Sequence, residues 1–98
     1  MSTHPAAKCL VIPCHNEARR LDTAEITAFL SSTASVDLVM VDDGSTDQTP
    51  EVLQRLEQVY SGRVHLLHLS ENCGKAEAVR AGMQAALTQG NYLCIGFC

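Results

Sequence analysis

The chain has 98 residues, 46% of them hydrophobic, and a formal net charge of −4, which suits one small domain built on one core. The acidic balance and the lack of a basic run argue against a nucleic-acid partner, because binding by counterion release needs clustered Lys and Arg. No apolar stretch approaches the roughly 20 residues that span a bilayer, and Met1 to Lys8 lacks the apolar middle of a signal peptide, so the expectation is a cytoplasmic chain.

KCLVIP at 8–13 predicts a first strand. Leu21, Ile26, Phe29 and Leu30 follow at helical spacing, and VDLVMVD at 36–42 predicts a second strand. A second helix is marked by Thr49 as N-cap, Pro50 at the first helical position and Glu51 near the positive end, with Val52, Leu56, Val59 and Tyr60 as its inner face. RVHLLHL at 63–69 predicts a third strand, then Ala76, Val79, Met83, Ala86 and Leu87 a third helix, and NYLCIGF at 91–97 a fourth strand, with Gly62 and Gly90 as helix exits. Strands this continuously apolar, separated by single helices, imply a three-layer α/β/α arrangement around a Rossmann-like parallel sheet of four strands with right-handed crossovers. No linker or low-complexity segment interrupts it, so residues 1–98 read as one unit. Five cysteines, Cys9, Cys14, Cys73, Cys94 and Cys98, show no CxxC spacing and read as reduced thiols; Cys14, His15, His65 and His68 lack zinc-finger spacing.

In an open parallel sheet the carboxyl ends of the strands share one rim, where ligands settle. The unusual residues map there: Pro13, Cys14, His15, Asn16 and Glu17 after strand one; Asp42, Asp43, Gly44, Ser45, Thr46 and Asp47 after strand two; Ser70, Glu71, Asn72, Cys73, Gly74 and Lys75 after strand three. Asp43 or Asp42 can accept from a ring N–H, and Glu17 can take hydroxyl protons such as those of a ribose. Gly74 and Lys75 open a helix whose amides, dipole and ammonium could face a phosphate. Each residue has a plainer role available. The acidic pair can supply turn and cap acceptors, Glu17 can favour a helix dipole, His15 can fill the turn, Lys75 can be solvated, and Arg80 can pair with Glu77. His65 and His68, at odd spacing in a strand, face opposite sides. A P-loop is excluded because Leu69 and Ala76 stand where its Gly and Ser or Thr belong, and no G-x-G-x-x-G follows a strand.

Together VIPCHNE (11–17), VMVDDGSTDQT (39–49) and ENCGKAEAVRAGM (71–83), in this order and spacing, resemble the amino-terminal half of a family 2 glycosyltransferase of the GT-A type. The resemblance implies an incomplete GT-A nucleotide-diphospho-sugar transferase fold. It implies that Pro13 to Glu17, including His15 and Asn16, line a nucleoside pocket with Glu17 near the ribose. It further implies that Asp42, Asp43, Gly44 and Ser45 bind the base, uracil or guanine, through one carboxylate. Gly74 and Lys75 would lie beside the nucleotide, and Arg80 matches a position often basic in such proteins. The partner implied is a nucleoside-diphosphate sugar, in the cytoplasm or at the cytoplasmic face of a membrane.

The chain departs from that pattern by ending at Cys98, before the Asp-x-Asp motif that holds Mg²⁺ or Mn²⁺ in the intact enzyme, so no metal ligand or catalytic residue is expected within it. Without that cation and an acceptor base the transfer loses its main electrostatic terms, and the fragment alone is expected to be inactive. Residues 91–97 should form an apolar edge that recruits a second copy. The alternative is a non-catalytic nucleotide-binding or interaction module of the same fold. A response-regulator receiver would need a phospho-acceptor Asp where Ser70 and Glu71 stand.

Overall fold

The computed structural model describes residues 8–89, 92 and 94–97. In chain order its elements are β1 (Lys8–Cys14), α1 (Thr23–Ser32), β2 (Val36–Asp43), α2 (Thr49–Val59), β3 (Val64–Leu69), α3 (Lys75–Gln89) and β4 (Cys94–Phe97). Gly90, Asn91, Leu93 and Cys98 lie outside the described residues, as do residues 1–7, so the exit at Gly90 and the start of the strand expected over 91–97 fall there.

All strand pairs are parallel, and the order across the sheet is β3-β2-β1-β4. The chain therefore steps outward from β1 to β2 to β3 and then returns past β1 to β4. Crossovers of one hand that travel in opposite directions deposit their helices on opposite faces. Thus α1 and α2 cover one face, where Leu30, Leu53 and Leu56 meet Leu38, Met40 and Val64. Helix α3 covers the other, where Ala78 and Ala86 meet Cys9, Val11, Val39 and Val41. All eight residues of β2 are buried, as a central strand sandwiched by two helical layers requires. No helix among the described residues is long and apolar enough to cross a membrane.

The inner faces of the helices differ from those expected. Leu21 precedes α1 but still packs on the core, whereas Phe29 is 38% exposed. In α2, Leu53 replaces Val52 as an anchor beside Leu56, and Val59 is 71% exposed. In α3, Leu87 is 69% exposed, and the buried stripe is Ala78, Val79, Gly82 and Ala86. Small side chains at 78, 82 and 86 let α3 sit directly on the sheet. A Cβ on Gly82 would collide with the side chains of Val11 and Val41. Thr49 is the first residue of α2 rather than its cap, and its hydroxyl accepts from the Glu17 N–H and donates to Asp47.

At the amino end of the sheet, Arg63 does what α1 cannot do for itself. The last turn of α1 carries no basic residue, and its terminal carbonyls need partners. The Arg63 guanidinium donates to the carbonyls of Leu30 (2.6 Å), Thr33 (2.7 Å) and Val36 (2.9 Å), fastening the end of α1 to the start of β2. Edge strand β3 is held by α2, where a Glu57 carboxylate oxygen accepts from the Leu66 N–H at 2.8 Å. Hydrogen bonds to a charged group contribute ~1.5–3 kcal/mol, so Arg63→Ala should cost about 2 kcal/mol, or ~10 °C in a domain of this size. Thermal unfolding followed by circular dichroism checks this; a change within about 2 °C would show that the fork is idle.

Candidate functional site

The acidic pair at the end of β2 is divided by the pleat. Successive strand residues point to opposite faces, so Asp42 joins the α1/α2 side while Asp43 joins the α3 side. The two carboxylates therefore do not meet head-on, and each is anchored separately. Asp42 is fully enclosed; one oxygen accepts from the Ser45 N–H (3.2 Å) and the other lies 2.6 Å from His68 Nδ1. Asp43 is 3% exposed and accepts the Cys73 N–H (2.7 Å) on one oxygen. Its other oxygen accepts from the Gly74 N–H (3.0 Å) and the Asn72 side-chain amide (3.3 Å).

Three loops are tied together by these and similar bonds. Asn16 adopts a left-handed conformation with φ 52, which Asn tolerates better than most residues. From there its side-chain oxygen accepts from the Thr46 and Asp47 amides, and its own N–H donates to Ser45 Oγ at 3.0 Å. The Glu17 N–H donates to Thr49 Oγ1 at 2.8 Å, and Asp47 accepts from both Thr49 and the Ala18 N–H. The hydrogen bond from the Thr49 hydroxyl, chief among these contacts, holds the Asp47 carboxyl below its ordinary range. His15 Nδ1 lies 2.8 Å from the Asp43 carbonyl oxygen and 3.1 Å from the Asn72 side-chain amide, which ties the ring to both loops. The turn closes at Gly44, where φ is 63 and an added Cβ would strike the backbone of Glu71 and Asn72.

Between these loops and the start of α3 lies a cleft of about 320 Å³, lined by Pro13, Cys14, His15, Glu17, Asp43, Asn72, Gly74 and Lys75. That volume is at the small end of the range for ligand sites. Of the residues singled out in the sequence, Pro13, His15, Glu17, Asp43, Gly74 and Lys75 come together here. Asn16, Asp42, Gly44 and Ser45 stand behind the lining and hold it in shape. Arg80 lies outside: it is exposed on α3 and pairs with Glu77 and Gln84. The Glu17 carboxylate has an exposed partner in Arg20 at 3.3 Å. Asn72 and Cys14 also line the cleft; both were placed at the rim from the sequence, but neither was given a binding role of its own. Asn72 shares the turn of Gly74 and brings a side-chain amide to Asp43, whereas Cys14 ends β1.

Because Asp43 occupies the Cys73 and Gly74 amides, those N–H groups are not free for an anion. The first bond of α3 runs from the Ala78 N–H to the Gly74 carbonyl, which leaves the amides of Lys75, Ala76 and Glu77 without intrahelical acceptors. No group of three His, Cys, Asp or Glu side chains able to hold a metal occurs among the described residues. The cleft is lined by two carboxylates, Glu17 and Asp43, and Asp43 already accepts from the Cys73 and Gly74 amides.

Burial pushes the Cys14 thiol up to about 12, with Glu17 and Asp42 adding repulsion, and burial raises Cys9 to about 11. Cys73 is exposed. Alkylation proceeds through the thiolate, so brief iodoacetamide treatment near pH 8 should label Cys73 and spare Cys9 and Cys14 in the folded protein. Peptide mapping that found Cys14 labelled as fast as Cys73 would contradict the enclosure described.

The fold and the rim define a class: a Rossmann-like α/β domain with a polar cleft where the loops after its strands meet. Comparison with known proteins narrows the class to a family. The model of glycosyl transferase family 2 matches residues 9–97, and the chain belongs to that family. It is 36% identical over 83 residues to the mouse dolichyl-phosphate beta-glucosyltransferase, covering 76% of this chain and 26% of that protein. It is also 36% identical over 76 residues to the undecaprenyl-phosphate 4-deoxy-4-formamido-L-arabinose transferase of Edwardsiella ictaluri, covering 74% of this chain and 23% of that one. Among solved structures it superposes on the mannosyltransferase PcManGT from Pyrobaculum calidifontis in complex with GDP-Man and Mn²⁺. There the TM-score is 0.68 at 23% identity, with 85% of this chain and 25% of that chain covered, a likeness of fold. The chain thus spans about a quarter to a third of the length of such relatives.

Proposed function

We propose that the chain forms the donor-nucleotide half of a glycosyltransferase that moves a sugar from a nucleoside-diphosphate sugar to an acceptor. The observation that carries this reading is the convergence of Pro13 to Glu17, Asp43 and Asn72 to Lys75 on one cleft at the carboxyl rim, within a chain that belongs to family 2. Of the two acids, Asp43 is the one that reads the base. It borders the cleft, and Oδ1 accepts only one N–H and so keeps a lone pair for a ring donor, whereas Asp42 faces away. In this reading Glu17, on the cleft wall, takes a ribose hydroxyl, and Lys75 supplies positive charge for the phosphates.

Mg²⁺ or Mn²⁺ would serve the intact enzyme through residues other than those described here, and the chain alone is proposed to transfer no sugar. Titrating the ¹⁵N-labelled chain with UDP, GDP and ADP tests the reading. UDP or GDP should perturb the amides of His15, Asp43, Asn72 and Lys75, with ADP weaker because adenine lacks the ring N–H that uracil and guanine offer. Perturbations on another face, or none with any of the three at millimolar concentration, would remove the assignment.

A further inference from the structure

Behind the cleft, one row of side chains crosses three strands on the α1/α2 face. Cys14 of β1 is in register with Asp42 of β2, and Asp42 with His68 of β3. Cys14 borders the cleft, Asp42 has no exposed surface, and the His68 side chain is 56% exposed. The row thus links the cleft to the outer surface of an edge strand.

Its central member needs explanation. A carboxylate taken fully out of water is costly unless hydrogen-bonded or paired. Asp42 has two partners, the Ser45 N–H at 3.2 Å and His68 Nδ1 at 2.6 Å. Both carboxylate oxygens accept, so the ring must hold a proton on Nδ1, whether or not Nε2 holds another. His68 therefore fixes the carboxylate, the carboxylate fixes Ser45, and Ser45 Oγ receives the Asn16 N–H at 3.0 Å. Asn16 lies between His15 and Glu17, two residues of the cleft wall. The chain of bonds runs from a surface imidazole to the loop that shapes the binding cleft.

We infer that His68, although it does not border the cleft, is a positioning residue for the β1–α1 loop, acting through Asp42 and Ser45. This inference rests on the function proposed above only for its consequence, nucleotide affinity; the relay itself is a property of the free protein. Conventional surface histidines donate to water and tolerate replacement. His68 instead meets a buried acid directly across a strand pair, so its replacement must be felt beyond its own position.

Three proteins separate these cases: the unchanged chain, His68→Asn, whose side-chain amide places an N–H near Nδ1, and His68→Leu, which offers no donor. In the absence of nucleotide, His68→Leu should move the backbone amide resonances of Ser45 and Asn16, and His68→Asn should restore them toward the original. Unmoved Ser45 and Asn16 resonances in His68→Leu would overturn the relay. Should the leucine variant fail to fold, the unchanged protein still decides through its imidazole nitrogen correlations: a protonated Nδ1 that responds to Asp42→Asn supports the relay, and a proton on Nε2 alone refutes it. UDP titration reads the consequence, with affinity about threefold to tenfold lower in His68→Leu and within about twofold in His68→Asn, the scale of one hydrogen bond's net worth. If the unchanged chain binds no nucleotide, the function proposed above fails, while the Ser45 and Asn16 resonances still judge His68.

Discussion

Replacing Gly44 with alanine is expected to be the most damaging single change at the rim. The residue combines φ 63 with backbone of Glu71 and Asn72 lying where a Cβ would be. Flexible side-chain ends could swing away from an added methyl, but the Glu71–Asn72 backbone cannot. The β2–α2 turn would have to lift off the β3–α3 loop, and Asp43 would lose its alignment with the Cys73 and Gly74 amides. A left-handed alanine costs ~1–2 kcal/mol by itself, and each buried N–H left unpaired adds ~1–3 kcal/mol. A total of roughly 3–5 kcal/mol is a large share of the ~5–15 kcal/mol that holds a domain together. The expected result is a melting temperature lowered by at least ~15 °C, or a chain that does not fold, together with loss of UDP or GDP binding. A variant that melts within about 3 °C of the original and binds normally would show that the loops separate easily.

The second large effect separates Asp43 from Lys75. Asp43→Ala removes a buried acceptor that serves Cys73, Gly74 and Asn72 at the start of α3, and unfastens the β3–α3 loop from the end of β2. The expected loss is about 2–4 kcal/mol in denaturant unfolding, with nucleotide binding abolished. Asp43→Asn should do nearly as much harm, because its NH₂ cannot accept and one of the two carboxylate oxygens is gone. Lys75 is exposed, and its ammonium is screened by salt, so Lys75→Ala should leave stability within ~0.5 kcal/mol and weaken nucleotide binding only severalfold. Equal losses of affinity from the two alanine variants would reverse the ranking and place the phosphates, rather than the base, at the centre of recognition.

Much of the architecture is legible in the sequence because its strands announce themselves. Runs such as VDLVMVD are apolar on both faces, a pattern that only a covered parallel strand needs, and the four such runs became β1 to β4. Helix faces were less legible. Counting large apolar residues pointed to Leu87 and Val59, both mostly exposed, and passed over Ala78 and Gly82, since close approach of α3 to the sheet favours small side chains that carry little hydrophobic signal. The rim divides in the same way. Asp43, Glu17 and Lys75 were visible from their chemistry and their place after strands, and the division of the acidic pair onto two faces follows from the period of two along β2. The bond between Asp42 and His68 was not visible, because it depends on the register between β2 and β3, a property of two distant segments at once. Arg63 was hidden for the same reason: its three carbonyl partners lie about thirty residues upstream.

The knitting of the three loops has a bearing on how a ligand would be received. Asn16 grips Thr46 and Asp47, Thr49 grips Glu17, and Asp43 grips Cys73 and Gly74, so no loop is free to open without breaking bonds to another. A cleft fastened in this manner is preorganised: its walls already stand in place, and the protein's own conformational entropy cost on association falls chiefly on the long side chains of Lys75 and Glu17. Recognition at this rim should therefore resemble a key meeting a cut lock, with association rates set by encounter rather than by loop rearrangement.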